Sequence, residues 1–170
     1  MLDIIRNYLK IFLVAMLPIV ELRGAIPYGL IDGLPIIPTF IVSVLGNILP
    51  VPFIILFAQK VLTVLAKIPK IGGFFQRIID KATEKSKSEQ FQKYELLALF
   101  LFVSIPLPGT GAWTGSLIAA ILQISWKKAL PIIFCGIVTA GIIMILLSVF
   151  VGGVFGQLFG FGDMSSFALV

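Results

Sequence analysis

The chain has 170 residues, of which 59% are hydrophobic and 12% are charged, and its mean hydropathy is +1.11. A soluble domain needs more charge to keep its surface wetted, so this composition argues against a soluble enzyme and predicts that apolar side chains face lipid. The sequence contains no histidine and a single cysteine. Because histidine is the commonest general base and metal ligand, we expect no metal ion, no cofactor and no enzymatic activity.

Three long segments without charged residues are each sufficient to cross a membrane. The segments 33–59, 96–126 and 129–162 hold 27, 31 and 34 residues without Asp, Glu, Lys or Arg. A spanning helix needs about 20 apolar residues to cross about 30 Å of hydrocarbon. The chain is therefore predicted to be an all-α integral membrane protein, a single multi-pass domain over 1–170. The prokaryotic plasma membrane is its expected location.

Charged residues follow the first apolar run directly, with no uncharged polar residues between them. Residues 11–20 lead into Pro18–Gly29, a segment rich in proline and glycine that contains Glu21 and Arg23, and Asp32 follows. Ionisable groups at membrane depth are expensive and therefore face a cavity or each other. Irregular backbone at that depth is tolerated only where protein or water satisfies its amides. The pattern indicates a hydrated cavity, with interfacial charges at a helix end as the alternative.

A basic connector, residues 60–95, separates half one (1–59) from half two (96–170). It holds eight Lys and Arg against four Asp and Glu, which is +4 of the net charge of +5. By the positive-inside rule it is cytoplasmic. Apolar residues recur at helical spacing from Ile68 to Ile79 with basic residues between them, which predicts an amphipathic helix in the headgroup plane. A solvated loop is the alternative, and a nucleic-acid partner is not expected.

The segment 96–126 is broken in its middle. As one helix it would measure about 46 Å at about 1.5 Å per residue. Four of its residues make a straight helix unfavourable: Pro106, Pro108, Gly109 and Gly111. A re-entrant hairpin returns Lys127 and Lys128 to the cytoplasmic side, where their charge belongs.

Half one has a similar plan, in which residues 11–31 re-enter and residues 34–58 cross to the cytoplasm. The predicted fold therefore has two inverted-topology halves, each a re-entrant helical hairpin plus a transmembrane helix, joined by the connector.

The second break is also a candidate anion site. A half-helix is predicted from Ala112 to Gln123, and a helix N-terminus carries partial positive charge and attracts anions. The glycines before it can expose backbone N–H groups, and Thr110 and Thr114 add hydroxyls. A tight structural turn is the alternative interpretation.

Both breaks carry residues that resemble a known family. Glu-Leu-Arg-Gly-Ala-Ile-Pro at Glu21–Pro27 and the segment Pro106–Gly115 are similar to the two signature segments of the small multidrug export protein family, which in turn is similar to the DedA/VTT superfamily. The resemblance to the DedA/VTT superfamily implies opposed re-entrant loops, flipping of lipids such as polyprenyl phosphate carriers, and dependence on the proton-motive force. Glu21 and Asp32 match the spacing of two DedA acidic residues. The arginines of the second DedA loop have no counterpart in 96–126.

These arguments predict a transporter of the DedA/VTT type that couples protons to movement of an amphipathic, phosphate-headed substrate such as a polyprenyl phosphate. Glu21 and Asp32 are the expected proton-coupling carboxylates, and Lys127 and Lys128 are expected to contact a headgroup. The expected substrate-binding residues are Arg23, Pro27, Pro106, Pro108, Gly109, Thr110, Gly111 and Thr114. Export of cationic drugs with Glu21 as counter-charge, and a membrane assembly or insertion factor, are the alternatives. Membrane lipids are expected partners, and homo-oligomer formation is left open.

Overall fold

The computed structural model describes residues 2–69, 72–85, 89–107 and 109–159, whose regular secondary structure is α-helical, with no strand among them. The helices are α1 (Leu2–Met16), α2 (Glu21–Ile31), α3 (Ile36–Ile48), α4 (Val51–Leu65), α5 (Gly72–Lys85), α6 (Glu89–Ser104), α7 (Ala112–Ile121) and α8 (Trp126–Phe159). The all-α prediction is therefore confirmed.

Two stretches among the described residues are long and apolar enough to cross a membrane: Ile36–Leu65, which joins α3 and α4, and Trp126–Gly152 in α8. In the most apolar 18-residue part of each stretch, only 33% and 28% of the residues are buried. Large apolar side chains such as Phe57 and Phe150 are 71% and 70% exposed. Lipid would cover this surface favourably, which agrees with a membrane protein. The number of crossings, the re-entrant hairpins and the inverted topology stay predictions.

The described residues form two compact units. The described residues of Met1–Leu49 and Ile137–Val170 form the first unit, and those of Pro50–Gly136 form the second. In the first unit, α1 packs on α2 and α3, and α2 packs on α3. A Cβ at Gly46 would lie 2.5 Å from the Phe12 carbonyl oxygen, so α1 and α3 touch almost backbone to backbone. The boundaries of these units differ from those of the predicted halves, 1–59 and 96–170. The single membrane domain over 1–170 stays a prediction.

The second unit is organised around α7, which contacts α4, α5 and α6. A Cβ at Gly115 or Gly136 would lie 2.6 or 2.8 Å from the Val103 side chain, so α6 is approached closely at this valine by α7 and by the start of α8. The side-chain amide of Gln59 donates a 3.0 Å hydrogen bond to the Ile124 carbonyl. That bond ties α4 to the turn that follows α7.

The helices α2 and α7 end in the same way. Gly33 (φ 76°) and Gln123 (φ 54°) are left-handed, and the next residue, Leu34 or Ile124, donates its N–H to the carbonyl five residues earlier. This is the Schellman motif, which satisfies carbonyls left open at a helix C-terminus. In both cases the next helix begins three residues after the left-handed residue. Positions in α2–α3 therefore correspond to positions 90 residues later in α7–α8.

The first predicted break was wrong in extent. The irregular backbone covers only residues 17–20, because α2 already begins at Glu21 and contains Pro27 and Gly29. A proline within a helix removes its own N–H from the hydrogen-bond ladder. Gly29 serves packing instead of chain reversal, because a Cβ there would lie 2.6 Å from Thr39 Cγ2.

The other boundaries differ by smaller amounts. The half-helix α7 begins at Ala112 as predicted and ends at Ile121, two residues early. The helix before the second break begins at Glu89, inside the predicted connector, and α4 continues past residue 59 into it. The predicted amphipathic segment becomes α5, shifted toward the C-terminus, and residues 70–71 of that segment lie outside the described residues.

The re-entrant prediction for the second break is tested by labelling from one side of the membrane. In a Cys135→Ser background, Lys93→Cys and Lys128→Cys are expected to react with a membrane-impermeant maleimide from the cytoplasmic side only, because a re-entrant hairpin returns the chain to the side it left. Asp32→Cys is the matched control and is expected to react from the opposite side. Labelling of positions 93 and 128 from opposite sides would contradict the hairpin.

Candidate functional site

Glu21 combines burial, charge and an unusual backbone. It opens α2, is 3% exposed, and has φ 51°. The left-handed region costs a residue with a Cβ about 1–2 kcal/mol. Such strain is concentrated at functional sites. The partial positive charge of a helix N-terminus also favours a carboxylate at this position.

Arg23 lies close enough to Glu21 for the two side chains to attract each other electrostatically. The guanidinium is partly buried. A buried charge is costly unless a partner of opposite sign offsets the lost hydration. The two predicted charged residues therefore lie within electrostatic range of each other at the start of α2, and their role in transport stays a prediction.

Asp32 is not part of this pair. It is the exposed C-cap residue of α2, and its N–H donates to the Tyr28 carbonyl at 3.0 Å. Glu21 and Asp32 are eleven positions apart on one helix, which separates them by about 16 Å along the axis. The two predicted proton-coupling carboxylates therefore lie at opposite ends of α2, too far apart to exchange a proton directly.

An apolar pocket of about 400 Å³ lies in the first unit, between α2 and the C-terminal part of α8. Its lining residues are Pro27, Leu30, Ile31, Met144, Leu147, Ser148, Val151 and Gly152. Drug-sized ligands occupy pockets of about 300–1,000 Å³ with mostly apolar walls. Arg23 precedes Pro27 by one helical turn, so both lie on the same face of α2. Pro27 was among the predicted binding residues, whereas the α8 wall was not, because its composition does not distinguish it from a lipid-facing helix.

The second predicted break is a loop shaped by its glycines. Gly109 and Gly111 have φ values of 82° and 131°, which favour glycine. The Thr110 hydroxyl lies 2.8 Å from the carbonyl oxygens of Ile105 and Leu107, which share its single O–H donor. Thr110 therefore closes the loop on itself, which supports the structural-turn interpretation, and its contact with substrate stays a prediction.

The remaining residues of this predicted site flank the loop. Pro106 is partly buried before it, Thr114 is partly buried in the first turn of α7, and Pro108 lies outside the described residues. Gly111 is the N-cap residue of α7, and no side chain makes a capping hydrogen bond there. An anion at this N-terminus stays a prediction.

Lys127 and Lys128 are exposed in the first turn of α8. The ammonium of Lys127 lies 6.0 Å from the centre of the Trp126 ring. Lys128 lines a cavity of about 150 Å³ in the second unit together with Glu95 and residues 122–125. Glu95 was not among the predicted site residues, and a headgroup contact of the two lysines stays a prediction.

Three fully buried polar residues on α3 were also missed: Thr39, Ser43 and Asn47. Their spacing of four residues was visible in the sequence, within the segment 34–58 that was interpreted only as a span.

The chain matches a known protein family. Residues 21–143 match the model of a family described as "Putative small multi-drug export protein". The match covers more than half of the chain and includes every predicted site residue from Glu21 to Lys128. No curated protein matches the chain. No solved structure matches it either. The relation to the DedA/VTT superfamily stays a prediction.

The loop-closing role of Thr110 predicts different results for two substitutions. Thr110→Val removes the hydroxyl and is expected to destabilise the protein by about 0.5–1.5 kcal/mol, the usual net value of one hydrogen bond. Thr110→Ser keeps the hydroxyl and is expected to unfold at the wild-type temperature. The measurement is thermal unfolding of the purified protein in detergent. Wild-type stability of Thr110→Val would contradict loop closure and return the hydroxyl to a ligand-binding role.

Proposed function

The chain belongs to the small multi-drug export protein family, and from this premise we propose that it exports cationic amphipathic compounds in exchange for protons. The observation that carries the proposal is the buried carboxylate of Glu21, which attracts the partly buried guanidinium of Arg23 and belongs to the helix that also forms one wall of an apolar pocket. A carboxylate supplies the counter-charge for a cation, and an apolar pocket suits the rest of an amphipathic molecule.

The dimensions support this class of substrate. The pocket of about 400 Å³ is large enough for a small aromatic or aliphatic body. Pro27 lines it and lies six residues after Glu21, about 9 Å along the axis of α2 and about 120° around it, so the cationic group must reach past the pocket face to contact Glu21. A molecule with its apolar body in the pocket and its cationic group toward the start of α2 therefore spans a distance typical of amphipathic drugs.

Competition at one carboxylate supplies the coupling. A protonated Glu21 is neutral and is easier to keep buried, whereas the ionised form needs a cation nearby. Substrate and proton therefore exclude each other, and each lowers the affinity of the site for the other to the same degree. When neither substrate nor proton is bound, Arg23 offsets the charge of Glu21. The empty site can therefore exist with Glu21 ionised.

A phosphate-headed lipid is the second candidate substrate. Gly109 and Gly111 precede α7 with positive φ values, which favours approach of an anion to the backbone at a helix N-terminus. Arg23 could pair with a phosphate. We rank this candidate second because the Thr110 hydroxyl is already engaged within the loop and because Glu21 would repel an anion. A role as an assembly or insertion factor is the third hypothesis, and under it no saturable transport is expected.

The proposal predicts the effect of neutralising Glu21. Glu21→Gln is expected to abolish export of a cationic dye driven by a pH gradient in proteoliposomes, because the amide neither ionises nor carries a proton. Glu84→Gln, the same change at an exposed position of α5, is the matched control and is expected to transport at the wild-type rate. Retained size-exclusion profile and thermal stability establish that the variant is folded.

The same vesicles distinguish the substrates. Wild-type protein that moves a labelled polyprenyl phosphate and leaves the cationic dye behind would replace the drug-export proposal with the lipid one. A Glu21→Gln variant that exports the dye normally would reduce Glu21 to a structural charge.

A further inference from the structure

The face of α3 that carries Thr39, Ser43 and Asn47 is unusual because its polar atoms are fully buried and unsatisfied. All three residues are 0% exposed. Among the described residues, the Thr39 and Ser43 hydroxyls and both polar atoms of the Asn47 amide have no hydrogen-bond partner. Buried polar groups in native proteins are almost always paired, so each of these atoms requires a partner such as water.

The two hydroxyls differ from other helical hydroxyls of this protein. Thr63, Ser104 and Ser116 each donate to the carbonyl four residues earlier in their own helix. That local bond is the usual way to satisfy a serine or threonine within an apolar helix. Thr39 and Ser43 do not make it, so their hydroxyls remain available to a group between the helices.

The corresponding face of α8 shows that packing does not require polarity here. Counted from the left-handed residue of the preceding turn, Thr39, Ser43 and Asn47 correspond to three apolar residues of α8. Those are Ala129, Ile133 and Ile137, and each is 0% exposed. The same position in the local architecture is therefore filled by an entirely apolar face in α8. The polar side chains of α3 consequently call for an explanation other than burial.

The α2–α3 hairpin directs this face toward Glu21. The two helices are joined by residues 32–35 and pack on each other, so they run in opposite directions. Gly29 lies against Thr39, which fixes their register. Four residues farther from the turn on each helix, Ser43 comes level with residue 25. After another four residues, Asn47 comes level with Glu21.

We propose that Thr39, Ser43 and Asn47 line a water-filled proton path along α3, from the exposed turn at Asp32 to the buried carboxylate of Glu21. The inference rests on the proposed function, because it explains how protons reach Glu21. A proton enters at the Asp32 turn, passes along hydrogen-bonded water beside the two hydroxyls and the amide, and ends on a carboxylate oxygen of Glu21. Because export in exchange for protons requires net movement across the membrane, the proton leaves Glu21 toward the side opposite the Asp32 turn.

Distances favour water over a single bound cation. Side chains four residues apart on a helix are about 6 Å apart, so Thr39 and Asn47 are separated by about 12 Å. A metal ion binds oxygen ligands at about 2.0–2.6 Å, so one ion cannot contact all three side chains. One water that bridges two polar groups by hydrogen bonds of about 2.8 Å spans about 5.6 Å, which matches the spacing of the face. The three side chains cover about 12 Å of the separation of about 16 Å between Asp32 and Glu21, and water at the exposed turn would cover the remainder.

Few other charged groups face this path. Arg23 is the charged neighbour of Glu21 on α2. The helix α3 and the described part of α8 from residue 137 onward contain no titratable side chain. On α1, the charged residues lie in the first ten positions, away from the end that leads to Glu21, and two of them pair at 2.9 Å. These residues are Asp3, Arg6 and Lys10.

The presence of water is tested by X-ray radiolytic footprinting, in which radicals formed from bound water oxidise adjacent side chains. In a Cys135→Ser background, Ser43→Cys is expected to be oxidised at least several-fold faster than Ser116→Cys. Ser116 is the matched control because it is equally buried and its hydroxyl is bonded within its own helix. Equal, slow oxidation of the two cysteines would show a dry face and overturn the path.

The proton route is tested in proteoliposomes that contain a pH-sensitive dye. Ser43→Ala and Thr39→Val are expected to slow proton movement coupled to the cationic substrate by about tenfold or more. Exchange of labelled for unlabelled substrate at equal pH is expected to stay near the wild-type rate, because it needs no net proton transfer. Ser116→Ala is expected to behave as wild type in both assays, and Ser43→Thr is expected to retain proton movement.

The outcomes separate the path from the function. Wild-type proton movement in Ser43→Ala and Thr39→Val, together with loss in Glu21→Gln, would overturn the path and leave the proposed function intact. Substrate movement without protons in the wild-type protein would overturn the proposed function and the proton path together. Footprinting still decides whether the face holds water.

Discussion

The cost of removing a charged or polar group from water governs the arrangement of this protein. Much of the surface of Ile36–Leu65 and Trp126–Gly152 is apolar and suited to lipid, so polar groups must find partners inside the protein. Glu21 and Arg23 meet this requirement partly through each other. The polar side chains of α3 lack hydrogen-bond partners among the described residues, namely Thr39, Ser43 and Asn47. Water between α2 and α3 would supply those hydrogen bonds. The proposed site and the proposed path are therefore two responses to the same constraint.

A shared local design carries these features. Both α2 and α7 end in a Schellman turn, and both are followed by a helix that begins three residues after the left-handed residue. In each case a glycine of the following helix, Gly46 or Gly136, brings the preceding long helix into close contact. The two segments differ in chemistry: Glu21 corresponds to Gly111, and the polar face of α3 corresponds to an apolar face in α8. The proposed function places the charged chemistry in the first segment.

The sequence predicts some of this well, and the reasons are physical. Uncharged segments long enough to cross a bilayer predict apolar helices directly, and the cluster of proline and glycine at residues 106–111 predicts the start of α7. The first break was predicted too long because Pro27 is accommodated within α2 and Gly29 serves helix packing. Residue type alone does not distinguish that role from chain reversal. The φ of Glu21 and its pairing with Arg23 depend on the turn at residues 17–20, which has no strong signature.

The pocket and the polar face show two different limits. The α8 wall of the pocket consists of residues such as Leu147 and Val151, which could equally face lipid, so only tertiary structure identifies them. The polar face was visible as a spacing of four, but a polar residue within an apolar helix usually bonds to its own backbone, as Ser116 does. The missing hydrogen bonds, and not the residue types, distinguish Thr39 and Ser43.

The central claim is that a cationic substrate and a proton compete for Glu21, and proton release on binding measures this most directly. Substrate is added to purified protein in weakly buffered detergent solution, at a pH where the empty site is protonated, and the protons released are counted with an indicator dye. Competition at Glu21 predicts about one proton released per substrate bound by the wild-type protein and none by Glu21→Gln. Saturable binding to the wild-type protein without proton release, at every pH where it binds, would contradict it.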